Sequence, residues 1–103
     1  MKDIKIDVGV CTELNIDLSN VDFSGIDKVI FTIKNHASVK SKVIVEREFT
    51  EAKEHRIIIE PEESIELKDG ALYDFNKVLV TGIRKKMTDN GNIILRNGVG
   101  ACV

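Results

Sequence analysis

The sequence predicts an all-β domain in which two sheets pack as a sandwich, and three observations support this. Apolar and polar residues alternate along several segments, which is the period-two pattern of strands with one buried face. Turn signals recur about every ten residues along the chain. Leu67, Gly70 and Tyr73 have the spacing of a tyrosine corner, where a tyrosine hydroxyl bonds backbone a few residues upstream. Together they predict an immunoglobulin-like Greek-key β-sandwich of seven or eight strands with a tyrosine-corner-like turn.

The N-terminal segment shows the clearest alternation. Its apolar residues share one parity, namely Ile4, Ile6, Val8, Val10, Leu14, Ile16 and Leu18. A single strand of this length would be unusual. We therefore expect a bend or bulge at Gly9 and at the pair Thr12–Glu13 to divide the segment into two strands.

The middle of the chain contains one ambiguous segment. Apolar residues before Lys34 fall at helical spacing, but the run from Val29 to Ile33 is rich in β-branched and aromatic residues, which favour a strand. We predict a strand here. The next segment, from Val39 towards Phe49, alternates with lysines and is expected to lie at a sheet edge.

The second half is predicted to contain a short strand at Arg56–Glu60, one helical turn at Pro61–Leu67, and a long strand from Leu72 to Ile83. Asn90–Gly91 predicts a hairpin with a type I′ turn, because both residues accept the positive φ angles that this turn requires. In the closing segment, Asn97–Gly98 is compatible with a second hairpin or with a bulge, and we favour the bulge.

Composition limits the classes of function. The chain has 103 residues, which we interpret as one domain spanning residues 1–103, and its net charge is -2. This charge gives no basic field for nucleic acid, and no apolar run is long enough to span a bilayer. We therefore expect neither nucleic acid nor a membrane as a partner. The N-terminal residues lack a signal-peptide core, which indicates synthesis in the cytoplasm.

No set of residues predicts catalysis, a cofactor site or a metal site. His36 and His55 lack ligands at metal-binding spacing, and we interpret both as surface residues. The acidic run from Glu60 to Asp69 lacks the pattern of a calcium loop, and it is better explained by the N-terminus of a short helix. A disulfide between Cys11 and Cys102 would need the first and last strands to be neighbours. In a chain that shows no secretion signal, we favour reduced thiols for both.

The residues that we single out are therefore structural. They are Leu67, Gly70 and Tyr73 in the tyrosine corner, and Asn90 and Gly91 in the hairpin turn.

Several motifs follow one another in a characteristic order. They are Gly9-Val10-Cys11-Thr12-Glu13, Asp22-Phe23-Ser24-Gly25, Leu67-Lys68-Asp69-Gly70-Ala71-Leu72-Tyr73-Asp74-Phe75 and Asp89-Asn90-Gly91. In this order the chain resembles small β-sandwich domains of phages and prophages of Gram-positive bacteria, such as the N-terminal domain of the baseplate upper protein. Two features depart from that pattern: Val10-Cys11 replaces an acid-containing pair, and one tyrosine stands where two are common.

The resemblance implies a non-enzymatic structural or assembly module of the tail or baseplate. Its partners would be other virion proteins or copies of itself, and its final location would be the virion. The alternative is a β-sandwich module of a bacterial protein that binds a protein or a carbohydrate. Sugar sites usually depend on exposed aromatic rings, and the sequence has no tryptophan and one tyrosine.

Overall fold

The computed structural model describes residues 3–36, 40–87 and 90–97. Within these ranges the chain is built mainly of strands, and we number them in chain order. The strands are β1 (Ile4–Val8), β2 (Thr12–Asp17), β3 (Ile26–Lys34), β4 (Val43–Phe49), β5 (Glu54–Ile59), β6 (Leu72–Leu79), β7 (Arg84–Lys86) and β8 (Gly91–Asn97), with one short helix, α1 (Pro61–Ser64). The prediction of an all-β, sandwich-like fold is confirmed.

The strands form a larger and a smaller sheet. The larger sheet has the order β1-β8-β6-β3-β4, and β7 pairs with β6 beside it. The smaller sheet consists of β2 and β5. The pairing of β1 with β8 is parallel, whereas the other pairings are antiparallel.

One hydrophobic core joins the two sheets. Alternate residues of β3, namely Val29, Phe31 and Ile33, are fully buried from the larger sheet. Ile57 and Ile59 of β5 are buried from the smaller one and belong to the same cluster. The segment predicted from alternation contributes to the same core through Ile6 of β1 and Ile16 of β2.

A bend at Gly9 divides the N-terminal segment into two strands, as predicted, whereas Thr12–Glu13 lies within β2 and does not divide it. The bend also takes the chain from one sheet to the other. The φ angle of Gly9 is +83°, a conformation that glycine adopts at little cost. β1 ends just before it in the larger sheet, and β2 begins after it in the smaller sheet. The Gly9 N–H donates to Ser64 Oγ at 2.9 Å, which fixes the bend against α1.

Several predicted elements appear where expected. Residues 26–34 form a strand rather than a helix, and β4 lies at the end of the larger sheet. β4 begins at Val43, whereas Val39 lies outside the described residues. Pro61 is at the first position of α1, with acidic residues in its first turn.

The predicted hairpin is wrong in its position. β6 ends at Leu79, and a turn leads from it into β7, which pairs with β6. This turn is closed by a hydrogen bond from the Leu79 N–H to the Ile83 carbonyl at 2.8 Å. Gly82 in that turn has a φ of +90°. Gly91 instead lies within β8 and lacks the positive φ that a type I′ turn would require. The question of a bulge or hairpin at Gly98 lies outside the described residues.

The prediction of reduced thiols is also wrong at Cys11, which is disulfide-bonded. Cys102 lies outside the described residues.

Candidate functional site

The residues of the predicted tyrosine corner lie together at the start of β6. Leu67 and Tyr73 are buried in the core, and Gly70 has a φ of +91° in the turn closed by the Ala71 N–H bonding the Lys68 carbonyl at 3.0 Å. Burial raises the pKa of the Tyr73 hydroxyl, and the negative charge of Asp3 raises it further. The corner is therefore part of the core.

Gly91 contacts this corner from the neighbouring strand. It pairs with Tyr73 across β6 and β8, and a Cβ atom at Gly91 would overlap the Tyr73 ring. The glycine is required here by close packing. The other residue of the predicted turn, Asn90, accepts a hydrogen bond from Lys86 Nζ through its Oδ1 at 2.6 Å.

The two histidines lie in different parts of the fold. His55 is on β5, where its ring packs on Phe49 with centroids 4.6 Å apart and its Nε2 lies 2.8 Å from the Glu51 carbonyl oxygen. His36 is exposed after β3. Across the described parts of the chain, no three histidine, cysteine or carboxylate side chains form a group that could hold a metal ion.

The acidic run contains one structural ion pair. Glu63 accepts from both terminal nitrogens of Arg47, at 2.7 and 3.1 Å, and from the Glu60 N–H at 3.0 Å. Burial raises the pKa of Glu63, but the hydrogen bonds from Arg47 and from the Glu60 N–H, together with the charge of Arg47, outweigh it. The pKa is therefore below its ordinary value. This pair joins β4 to α1.

An apolar cleft lies between β2 and the β6–β7 hairpin, and it is the candidate site that sequence reasoning missed. Its volume is about 350 Å³. The lining residues come from both sheets, and they are Ile4, Asn15, Ile16, Asp17, Leu18, Val21, Tyr73, Phe75 and Met87. Because no single segment contains this set, only the tertiary fold reveals it.

The basic side of the cleft carries a pair of like charges. Lys77 of β6 lies directly opposite Lys85 of β7. Lys77 follows the cleft-lining Phe75 by two residues and Lys85 precedes the cleft-lining Met87 by two, so both lysines lie next to the cleft rather than in its lining. Like charges directly opposite each other destabilise a sheet. Within residues 3–36, 40–87 and 90–97, neither ammonium group makes an ion pair or a hydrogen bond.

The acidic side carries a second such pair. Asp17, which lines the cleft from β2, lies directly opposite Glu54 of β5. Ser19 donates to Asp17 Oδ1 through its hydroxyl at 2.6 Å and its N–H at 2.9 Å, and these bonds lower the pKa of Asp17. The carboxylate is therefore charged well below neutral pH. We name the two pairs the basic lip (Lys77, Lys85) and the acidic lip (Asp17, Glu54).

A smaller polar groove of about 230 Å³ lies on the outer face of the larger sheet. Thr32 is buried at this groove, and its hydroxyl makes no hydrogen bond in the part of the chain that the structure describes. Lys34, Asp74, Asn76 and Lys86 surround it. The groove therefore offers hydrogen-bonding groups beside apolar surface from Leu72 and Tyr73.

Comparison with known proteins gives no match, whether with family models, curated proteins or solved structures. No helix among the described residues is long and apolar enough to cross a membrane.

Proposed function

We propose that the chain is a non-enzymatic structural or assembly module of a phage or prophage virion, associated with the tail or baseplate. The observation that carries this proposal is the order of motifs from Gly9 to Gly91, which resembles the small β-sandwich domains of such particles. The motifs occupy positions that shape the fold, such as the bend at Gly9 and the corner at Tyr73. The protein would be made in the cytoplasm and become part of the particle.

The strand order supports an immunoglobulin-like Greek key. In variable-type immunoglobulin domains, one sheet contains the strands G, F, C and C′ side by side, while B and E pair in the other. Here β8, β6, β3 and β4 follow one another in the larger sheet, and β2 pairs with β5. Tyr73 near the start of β6 then corresponds to the tyrosine at the start of strand F.

Docking would use the exposed apolar side chains and open strand edges of the sandwich. Among the described residues, β4 and β1 lie at the two ends of the larger sheet, and β2 and β5 pair only with each other. Such edges present unpaired backbone groups to a partner. At the turn before β7, Val80 and Ile83 are 71% and 54% exposed, and they offer a further apolar contact to a partner.

Purified particles test the proposal directly. We expect mass spectrometry of gradient-purified, induced particles to detect this chain at a fixed ratio to a major tail protein. A cytoplasmic protein of similar size from the same cells serves as the control for carry-over. Particles that repeatedly lack the chain while the lysate contains it would exclude a virion role.

The polar groove around Thr32 favours a second candidate, a module that binds a protein or a carbohydrate. Its hydroxyl, amide, carboxylate and ammonium groups match the hydrogen-bonding needs of a sugar or a polar peptide. A glycan array, with a Thr32→Val variant as the matched control, tests the carbohydrate version. Absence of any signal from the wild-type protein would exclude it.

A further inference from the structure

We propose that the apolar cleft between β2 and the β6–β7 hairpin is a two-fold interface with a second copy of this chain. This inference rests on the proposed assembly function and specifies one of its partners. Its three supports are the apolar surface of the cleft, the opposite charges of its two lips, and the symmetry that relates them.

The floor of the cleft is apolar and only partly covered. Ile4, Val21, Phe75 and Met87 are half-buried, and each packs against the core while still lining the cleft. A partner that covers them would remove apolar surface from water, which is the main driving force for association. Val80 and Ile83 at the hairpin tip would add exposed apolar surface at the rim.

The two lips carry opposite charges, and no ion pair among the described residues neutralises either lip. No ion pair within 4.0 Å joins Lys77 or Lys85 to Asp17 or Glu54. Each lip therefore retains the repulsion between its own two like charges. A partner with charges of the opposite sign at each lip would relieve both repulsions at once.

A second copy satisfies this requirement by symmetry. In a two-fold interface, both copies contribute the same surface, and a rotation of 180° relates them. A residue to the left of the rotation axis in one copy therefore contacts a residue that lies to the right of the axis in its own copy. With the axis through the cleft, the basic lip of each copy lies over the acidic lip of the other. One surface thus supplies four complementary contacts.

Other partners use less of this surface. An anionic bilayer or a nucleic acid would be attracted by Lys77 and Lys85 but repelled by Asp17 and Glu54. A small apolar ligand would fill the cleft without meeting either lip. A second copy is the partner whose chemistry matches the floor and both lips together.

Charge reversal across the interface provides the test. Sedimentation velocity across a concentration series should show a mass approaching twice 11.5 kDa for the wild-type chain. The variant Lys77→Glu/Lys85→Glu and the variant Asp17→Asn/Glu54→Lys should each weaken association at least tenfold. Asparagine is chosen at position 17 because its side chain can still accept the hydrogen bond from Ser19.

Mixing the two variants is the decisive step. In a mixed dimer, the intact acidic lip of the first variant meets the intact basic lip of the second, and the two altered lips also carry opposite charges. We therefore expect the equimolar mixture to recover association, although neither variant associates alone. Raising NaCl from about 50 mM to about 500 mM should weaken both the wild-type and the mixed dimer.

Glu62→Lys is the matched control, since Glu62 is an exposed acid on α1, away from the cleft. It should associate like the wild-type chain. Thermal unfolding confirms that each variant is folded. A wild-type chain that stays monomeric at millimolar concentration, or lip variants that associate like the control, would overturn the inference.

The outcome is separable from that of the virion proposal. A chain found in particles but monomeric in solution would overturn only the two-fold interface. A chain that dimerises through the lips but never enters particles would overturn only the virion role.

Discussion

Replacing Arg47 with methionine should lower the free energy of unfolding by about 1.5–2 kcal/mol. The guanidinium donates four hydrogen bonds: two to the Glu63 carboxylate at 2.7 and 3.1 Å, one to the Glu46 carbonyl at 2.9 Å and one to the Ile58 carbonyl at 3.1 Å. They connect β4 to α1 and β5. Methionine keeps much of the apolar stem of arginine while removing every donor.

The magnitude follows from the partial burial of this pair. A hydrogen bond to a charged group contributes about 1.5–3 kcal/mol when shielded, whereas an exposed ion pair contributes about 0–1 kcal/mol. The side chains of Arg47 and Glu63 are 29% and 22% exposed, so the shielded value applies only in part. Geometry favours this pair, because two parallel bonds hold the carboxylate.

Arg56→Met provides the matched control. Arg56 pairs with Glu13 at 2.7 Å, but the two side chains are 78% and 58% exposed. We expect this substitution to cost less than about 0.5 kcal/mol. Urea unfolding followed by circular dichroism measures both variants, with an unchanged slope showing that only stability has changed.

The pH dependence gives a second readout of the same pair. The pKa of Glu63 is lowered in the folded chain, so its contribution is present above the ordinary glutamate value of 4.5 and is lost as the pH falls through the folded pKa. The stability difference between the wild-type chain and Arg47→Met should therefore shrink below pH 4.5. If Arg47→Met cost no more than Arg56→Met at neutral pH, the argument from shielding would be refuted.

Three further substitutions test buried positions, and a fourth, Gly82→Ala, serves as a control. Tyr73→Phe should cost about 1–2 kcal/mol in urea unfolding, and a neutral result would remove the case for a tyrosine corner. Gly91→Ala should cost about 2–3 kcal/mol because its methyl group would overlap the Tyr73 ring, whereas Gly82→Ala, which meets no neighbour, should cost only about 1–2 kcal/mol from its positive φ. Thr32→Val should be neutral or stabilising by up to about 1 kcal/mol, because it removes a buried hydroxyl that makes no hydrogen bond among the described residues. A decrease of more than about 1 kcal/mol in the unfolding free energy would show that the hydroxyl has a hydrogen-bond partner.

Alternation and helix signals located most strands because they depend on neighbours in the sequence. The apolar run of β3 predicts a strand, and the proline at the start of α1 predicts a helix, from adjacent residues alone. Asn90–Gly91 shows the limit of this reasoning. A glycine required by a turn and a glycine required beneath an aromatic ring look the same in sequence, and here the second requirement applies at Gly91.

The cleft and its lips could not be predicted because they depend on register. Lys77 lies opposite Lys85 only because β6 turns at Gly82, a position that lacks the asparagine or aspartate of a strong hairpin signal. A turn at Asn90–Gly91 would have left Lys77 and Lys85 on the same arm of the hairpin, where they could not lie opposite each other. In the same way, Asp17 lies opposite Glu54 through the pairing of two strands that β3 and β4 separate in the chain.

Lys85→Glu separates two effects of the basic lip, namely its effect on the unfolding free energy of the monomer and its effect on association. The substitution converts the repulsive pair with Lys77 into an attractive one, so the unfolding free energy of the monomer should rise by about 0.5–1 kcal/mol. The same change places a negative charge opposite the acidic lip of a second copy, so association should weaken. Stability measured by urea unfolding at low concentration and association measured by sedimentation should therefore move in opposite directions. Such a trade-off is expected where a surface is kept for binding at the expense of the fold. A variant that lost stability would show that Lys77 and Lys85 do not repel each other in the folded chain.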